Sequence, residues 1–284
     1  MNPLQQLFEK KTTDIFLDSG DPTETALTIE LLGFLDGQTT NPSLIAKSPA
    51  IQEYLKTKKF TRDELFEKYK EIALQIENII PNGKISAEVY ADANSTVDEL
   101  LEQAYKIAKW FPGIFVKLPI TNAGLAAAEK LVAEGISVNM TLCFSQEQAA
   151  AVHAATKNAK DAHVYVSPFV GRLDDINLRG VDLIKNIQKM YLTWNSHVRV
   201  LGASIRSIDH IHLCMDDQIS AMTIPFKLIK EIHDKGIIPV EQVYLEPIQY
   251  NELTELPWNE YDINHELTTK GLEKFASDWN ALCE

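Results

Sequence analysis

Strand-like apolar segments recur along the chain, and most are followed by an amphipathic stretch with helical spacing. This alternation is typical of a parallel sheet, because parallel neighbouring strands are joined by a crossover that is usually a helix. Eight such strands favour closure into a barrel. The predicted strands are residues 14–20, 37–42, 84–92, 113–119, 137–144, 163–170, 199–206 and 218–225.

Small polar residues after the strands predict where helices begin, because their side chains can accept the free backbone N–H groups of a first turn. Thr23, Ser95 and Ser145 are the expected caps. The long interval between the second and third strands predicts two extra helices, near 51–58 and 63–78.

The C-terminal tail, residues 237–284, follows the last predicted strand and carries an amphipathic pattern from Lys270 to Leu282, which predicts one closing helix. No linker or second core is evident. The sequence therefore predicts an α/β fold, a single (β/α)8 TIM-barrel domain over residues 1–284 whose tail packs on the barrel. A doubly wound open sheet is the alternative.

The composition and net charge of this 284-residue chain limit the classes of molecule that it is expected to bind. Its 27 basic and 40 acidic residues give a net charge of −13, which disfavours nucleic acid and anionic membranes as partners. An anionic ligand must then be held by a few local arginines. The polar N-terminus without an apolar core and the three cysteines without a CxxC pair favour a reduced, cytoplasmic protein. The sequence leaves a homo-oligomer open.

Polar residues interrupt the predicted strands on faces that should point into the barrel, where Val, Ile and Leu are usual. They lie toward the carboxyl ends of the strands, the end at which barrel enzymes build their active sites. The residues are Asp18, Asn41, Glu88, Lys117, Asn139, Thr141, Ser167, Ser204 and Arg206.

Lys117 is the central candidate, because its apolar neighbours in the segment 114–119 disfavour the ammonium form. A neutral amine can add to a carbonyl and form a Schiff base. The iminium then accepts electrons from a breaking carbon–carbon bond, and Asp18 and Glu88 could divide the proton transfers. The alternative is a lysine that extends to solvent at a strand end.

Seven segments of this chain resemble, in order, the signature motifs of the transaldolase family. They are FLDSGD (16–21), GQTTNPSLI (37–45), ISAEVYAD (85–92), VKLPIT (116–121), NMTLCFS (139–145), SPFVGRLDD (167–175) and GASIR (202–206). The tail segment GLEKFASDW (271–279) is similar to the closing helix of that family.

The resemblance implies metal-free class I aldol transfer without a cofactor, as in the pentose phosphate pathway, with small phosphorylated sugars as substrates. It implies that Lys117 forms the Schiff base, that Asp18 deprotonates the C4 hydroxyl, and that Glu88 and Thr141 hold a catalytic water. The remaining implied positions are Asn41, Asn139 and Ser167 for the dihydroxyacetone unit, with Thr39 beside Asn41, and Arg172, Ser204 and Arg206 for the phosphate.

Two other functions stay open. Fructose 6-phosphate aldolase releases dihydroxyacetone rather than transferring it, but the resemblance favours transfer at three positions: Glu88, Phe169 and Arg206 stand where the aldolase subgroup carries Gln, Tyr and commonly Lys. The apolar ring of Phe169 should slow hydrolytic release. A barrel that has lost catalysis and only binds sugar phosphates is the second alternative.

The remaining chemistry-bearing residues are expected to be structural. His210 and His212 are two apart on a predicted helix, so their side chains do not converge on a metal. The pair Asp174–Asp175 is expected to cap a helix or face solvent, and Cys143 is expected to pack in the core. No GxGxxG or Walker loop indicates a nucleotide cofactor.

Overall fold

Eight parallel strands close into one barrel in which the last strand pairs with the first, as the sequence predicts. The computed structural model describes residues 3–9, 11–237 and 244–284. The strands are β1 Asp14–Asp18, β2 Gly37–Thr39, β3 Lys84–Glu88, β4 Phe115–Pro119, β5 Val138–Cys143, β6 Val164–Pro168, β7 Arg199–Gly202 and β8 Ala221–Pro225.

Helices surround this barrel and fill the intervals between its strands. They are α1 Pro3–Leu7, α2 Pro22–Leu32, α3 Pro42–Lys47, α4 Pro49–Leu55, α5 Arg62–Ile79, α6 Val97–Ile107, α7 Asn122–Ala133, α8 Gln146–Ala155, α9 Val170–Asp174, α10 Gly180–Thr193, α11 Ile208–Asp216, α12 Phe226–Lys235, a 3-10 turn Trp258–Glu260 and α13 Glu266–Asn280. Within the described ranges, no helix is both long enough and apolar enough to cross a bilayer.

Several predicted strands are too long at their carboxyl ends. β7 ends at Gly202 rather than at residue 206, because Ser204 has a left-handed backbone with φ of 57°. β3 ends at Glu88 although Val89 and Ala91 are also buried. Burial alone therefore does not mark the end of a strand; the ladder with the neighbouring strand does.

Two predicted caps are one or two residues away from the observed ones. Asp21, not Thr23, caps α2, because Pro22 occupies the first turn and the Asp21 carboxylate accepts the Thr23 N–H. Thr96, not Ser95, caps α6 in a reciprocal capping box with Glu99.

Three helices, α3, α4 and α5, lie between β2 and β3, where the sequence analysis predicts two. The additional one, α3, begins directly after the second strand at Pro42 and is capped by Asn41. Ser145 caps α8 as predicted.

The barrel interior is layered. The lower layer is an apolar cluster of buried residues, namely Phe16, Phe115, Tyr165, Leu201 and Ala221. Two residues farther along the chain from each of these positions, at the ends of the strands or just beyond, side chains line a cavity. These are Asp18, Lys117, Ser167, Ala203 and Thr223. The apolar cluster therefore fills the barrel below the candidate site.

The tail packs over this end of the barrel through α13, which contacts α3 and β5. Buried Gln148 of α8 fixes its approach by donating to Ile263 O at 3.0 Å and to Thr268 Oγ1 at 2.8 Å. Thr268 Oγ1 in turn donates to Leu142 O at 3.0 Å. The closing helix is thus tied to the strands that carry the polar layer.

Candidate active site

A cavity of about 270 Å³ opens at the carboxyl ends of the strands, the position expected for a barrel active site. Its lining includes nine of the predicted site residues, namely Asp18, Thr39, Asn41, Lys117, Ser167, Phe169, Arg172, Ser204 and Arg206. The other three predicted residues, Glu88, Asn139 and Thr141, are buried and do not line it.

Lys117 lies at the inner end of the cavity and is only 3% exposed. Its register neighbours are Glu88 on β3 and Asn139 on β5. The Lys117 Nζ lies 3.0 Å from Glu88 Oε2 and donates to the backbone carbonyl of Thr40 at 3.0 Å. The amine therefore faces the Glu88 carboxylate, which the sequence analysis names as a possible partner, and the Thr40 carbonyl, which it does not. It does not extend to solvent.

Asp18 and Glu88 are both carboxyl groups whose pKa is raised by burial. The Lys117 charge opposes the increase at both residues, and Thr39 Oγ1 opposes it at Asp18 by donating to Oδ1 at 2.7 Å. Thr39 Oγ1 also lies 2.6 Å from Thr223 Oγ1. Two carboxyl groups with raised pKa values in the layer that holds one amine are suited to take up and release protons.

Two buried polar atoms of this layer have no hydrogen-bond partner among the described residues. They are Glu88 Oε2, whose contact with Lys117 is close but poorly directed for a hydrogen bond, and Thr141 Oγ1. Buried polar groups are normally paired with protein or ordered water. These two atoms are therefore available to bind a small polar molecule.

A hydrogen-bonded row connects three strands. Ser167 Oγ donates to Asn139 Oδ1 at 2.7 Å, and Asn139 Nδ2 donates to Ser86 Oγ at 3.1 Å. Both protein contacts fix the orientation of the Asn139 amide. Asn41 is used differently, because its Oδ1 accepts the Leu44 N–H at 2.9 Å as the cap of α3.

Two guanidinium groups stand on the side of the cavity beyond β6 and β7. Arg172 lies on α9, with its Cζ 5.3 Å from the centroid of the Phe169 ring and 5.6 Å from that of Phe275. Burial and the neighbouring charge of Arg206 lower the pKa of Arg172. Arg206 is exposed and pairs with Asp175 at 2.5 Å. Two cations that line the same cavity and act electrostatically on each other favour a doubly charged anion.

Two glycines permit this arrangement. A Cβ on Gly171 would lie 2.6 Å from Ser204 O and from the Arg206 side chain, and one on Gly271 would lie 2.8 Å from an Arg172 guanidinium nitrogen. Without side chains, α9 and α13 can approach the arginines and hold them over the cavity.

Sequence reasoning missed several residues of the site. Thr223 lines the cavity from β8 and could have been found by the strand-end argument used for Ser167. Phe275 comes from α13, and only the tertiary fold places it against Arg172. Asp175 does not simply face solvent, since it pairs with Arg206.

Both ring nitrogens of His210 contact nearby protein groups. Its Nε2 lies 2.8 Å from Asp174 Oδ2, and its Nδ1 accepts the Arg206 backbone N–H at 3.2 Å. Among residues 3–9, 11–237 and 244–284, no group of three or more His, Cys, Asp or Glu side chains could hold a metal ion. Cys143 is buried, as expected.

The closed barrel and the cavity at its carboxyl end define a (β/α)8-barrel enzyme. The sequence model of the transaldolase/fructose-6-phosphate aldolase family matches residues 15–284. The chain belongs to this family, and its relatives support a transferase.

Three relatives are each named "Probable transaldolase". One from Cereibacter sphaeroides is 36% identical over 93% of this chain and 94% of its own length. One from a Caulobacter species is 35% identical over 93% of this chain and 95% of its own length. One from Dehalococcoides mccartyi is 32% identical over 94% of this chain and 98% of its own length.

The raised pKa of Asp18 predicts a pH-dependent stability difference between the wild type and Asp18→Asn. Between the usual pKa of 3.8 and the raised one, the folded protein holds a proton that the unfolded chain releases, so the wild type loses stability as pH rises through this window. Asparagine removes that loss. Each tenfold difference in acidity between the two states corresponds to about 1.4 kcal/mol.

Urea unfolding from pH 4 upward measures this difference. We expect the free energy of unfolding of Asp18→Asn, relative to wild type, to rise with pH and then level off. Asp161→Asn, at an exposed aspartate, is the control and should show no such trend. A constant difference between Asp18→Asn and wild type across the range would contradict the analysis.

Proposed function

We propose that the protein transfers a dihydroxyacetone unit from a ketose phosphate to an aldose phosphate through a Schiff base on Lys117. The contact that carries the proposal is the buried Lys117 Nζ, which lies 3.0 Å from Glu88 Oε2 at the inner end of the cavity. A nucleophilic amine needs a neighbouring base to take its proton, and Glu88 is at that distance.

In the first half of the reaction, the Lys117 amine adds to the ketose C2 carbonyl, and the resulting carbinolamine loses water to give an iminium. Glu88 Oε2 and Thr141 Oγ1, both without protein hydrogen-bond partners, hold the water that carries these protons. The Asp18 carboxylate then takes the C4 hydroxyl proton. The C3–C4 bond breaks, its electron pair enters the iminium to form an enamine, and an aldose phosphate leaves.

In the second half, C3 of the enamine attacks the aldehyde of the acceptor aldose phosphate, and Asp18 returns its proton to the new C4 hydroxyl. Water then hydrolyses the iminium and releases the new ketose phosphate from Lys117. Asn139 and Ser167, fixed by their mutual hydrogen bond, and the free amide nitrogen of Asn41 hold the dihydroxyacetone hydroxyls. Thr39 orients Asp18 through its hydrogen bond.

Transfer rather than cleavage is supported by Phe169, which lines the cavity with an apolar ring packed against Arg172. A hydroxyl at this position could orient water for hydrolysis, whereas the ring cannot. The enamine therefore persists until an acceptor arrives. Sedoheptulose 7-phosphate or fructose 6-phosphate would serve as donor, with glyceraldehyde 3-phosphate or erythrose 4-phosphate as acceptor.

Borohydride trapping tests the covalent step. With fructose 6-phosphate and borohydride, the wild type should gain a reduced three-carbon adduct on the peptide that contains Lys117. Lys117→Met should give no adduct, and its kcat should fall at least about 1000-fold, because Lys117 Nζ is the amine that lies beside Glu88. Lys84→Met, at the opposite end of the barrel, is the control and should keep both. Full turnover by Lys117→Met would exclude the proposed mechanism.

An acceptor-dependence assay separates transfer from cleavage. Purified protein is incubated with fructose 6-phosphate alone and then with added erythrose 4-phosphate, and both dihydroxyacetone and sedoheptulose 7-phosphate are measured. We expect sedoheptulose 7-phosphate to form rapidly with the acceptor and little dihydroxyacetone to form without it. Equally fast release of dihydroxyacetone in both reactions would identify the protein as an aldolase.

Replacing the arginines tests the phosphate site. Arg172→Gln and Arg206→Gln should each raise KM for the sugar phosphates by about tenfold or more, since each removes a charge-assisted hydrogen bond to the phosphate. Arg179→Gln, which removes an exposed guanidinium paired with Asp182, is the matched control and should leave KM unchanged. Unchanged KM in both cavity variants would place the phosphate elsewhere.

A further inference from the structure

The hydrogen-bond ladder between β2 and β3 is interrupted beside the candidate active site. Thr40 N–H donates to Ser86 O at 3.1 Å, as in a regular parallel ladder. In such a ladder, the carbonyl of the same residue would accept the N–H two residues farther along the neighbouring strand, here that of Glu88. Instead, Glu88 N–H donates to the phenol oxygen of Tyr69 at 2.8 Å. The Thr40 carbonyl accepts from Lys117 Nζ.

Tyr69 belongs to α5 and reaches this position from outside the barrel. It is 1% exposed, and its ring packs against Trp110 and Trp279, with centroid distances of 5.3 and 5.9 Å. These contacts hold the ring from two sides. The phenol oxygen is thus fixed between the ends of β2 and β3.

The hydrogen-bond directions at the phenol are determined by its partners. Thr40 Oγ1 has one proton, which it donates to Ser86 O at 2.8 Å. The close contact between Thr40 Oγ1 and Tyr69 Oη must then be a hydrogen bond donated by Tyr69. Burial raises the pKa of Tyr69, so the phenol keeps its proton. Tyr69 therefore accepts from Glu88 N–H and donates to Thr40 Oγ1 at the same time.

We propose that Tyr69 is a positioning residue for the Lys117–Glu88 pair. By accepting the Glu88 N–H, its phenol takes the place of the Thr40 carbonyl in the ladder and leaves that carbonyl free to hold Lys117 Nζ. Tyr69 is not one of the residues that line the cavity, and its phenol hydrogen-bonds to Thr40 Oγ1 and the Glu88 N–H, so it acts through the ends of the two strands. This proposal rests on the proposed Schiff-base role of Lys117.

Removal of the phenol oxygen should let the ladder close. A buried N–H without an acceptor is costly, so Glu88 N–H would shift to the Thr40 carbonyl, its regular partner. Lys117 would then lose an acceptor, and its Nζ would move relative to Glu88 and Asp18. A displacement of about 1 Å at a reacting group can cost about 100-fold in rate.

Tyr69→Phe tests the proposal. We expect kcat with sugar phosphates to fall by about 10- to 100-fold and borohydride trapping on Lys117 to slow in parallel, while KM changes by less than about threefold because the phosphate site is untouched. Tyr191→Phe is the matched control: Tyr191 is a buried tyrosine of α10 whose phenol donates to Ala149 O at 2.8 Å, outside the cavity. It should lower Tm comparably and leave kcat and trapping unchanged.

The Thr40 side chain gives an independent test that does not require Tyr69→Phe to fold. Thr40→Val removes the acceptor of the phenol proton and should lower kcat. Thr40→Ser keeps the hydroxyl and should retain most of the wild-type kcat. If Thr40→Val and Thr40→Ser have equal kcat values, the phenol does not act through this contact and the proposal is overturned.

The outcomes separate this proposal from the function on which it rests. If the wild type is trapped on Lys117 but Tyr69→Phe loses no more activity than Tyr191→Phe at equal Tm, Tyr69 is only a core residue and the positioning role is wrong. If the wild type gives no adduct on Lys117, the Schiff-base mechanism fails and the positioning role fails with it. A selective loss of kcat and trapping rate in Tyr69→Phe supports both.

Discussion

A lysine inside a closed barrel must have partners for its polar head, and this requirement organises the polar end of the structure. Lys117 is buried on a strand whose lower neighbour on the same face, Phe115, belongs to an apolar cluster, so its Nζ has no polar partner below it in the barrel. The Glu88 carboxylate and the Thr40 carbonyl lie within 3.0 Å of Nζ, and the Lys117 charge also acts on the buried Asp18 carboxyl group, whose pKa it lowers against the effect of burial. The short β2 and the phenol of Tyr69 follow from the same need, because a regular ladder would occupy that carbonyl.

Much of the architecture could be predicted from the sequence, because the determining signals are local. The alternation of apolar strands and amphipathic helices fixes the barrel, and a two-residue period places Asp18, Lys117 and Ser167 on inward faces. Six strand predictions extend beyond the observed carboxyl ends. At β7, the apolar pattern continues to Ile205, but the left-handed Ser204 ends the strand. Local hydrophobicity does not reveal where a neighbour stops pairing.

The parts of the site that could not be predicted depend on contacts between distant segments. The apolar pattern of α5 predicts Tyr69 as a core residue of an amphipathic helix. Nothing in that pattern indicates that its hydroxyl accepts a hydrogen bond from the backbone N–H of Glu88 on β3. Phe275 likewise follows the helical pattern of the tail, and only the docking of α13 brings it to Arg172. The sequence analysis named Glu88 as a partner of Lys117, but the contact of Lys117 Nζ with the Thr40 carbonyl depends on where β2 ends and was not predicted.

One side of the cavity is lined by residues of α13, the last helix of the chain, and this has a consequence for biosynthesis. Lys274, Phe275 and Asp278 line the cavity, and they are translated after all eight strands. A nascent chain that has closed its barrel therefore has the amine and the carboxylates in place but lacks one side of the chamber that surrounds them. Ligand binding and docking of the last helix are consequently linked, and a bound sugar phosphate should protect the backbone amides of α13 from hydrogen exchange.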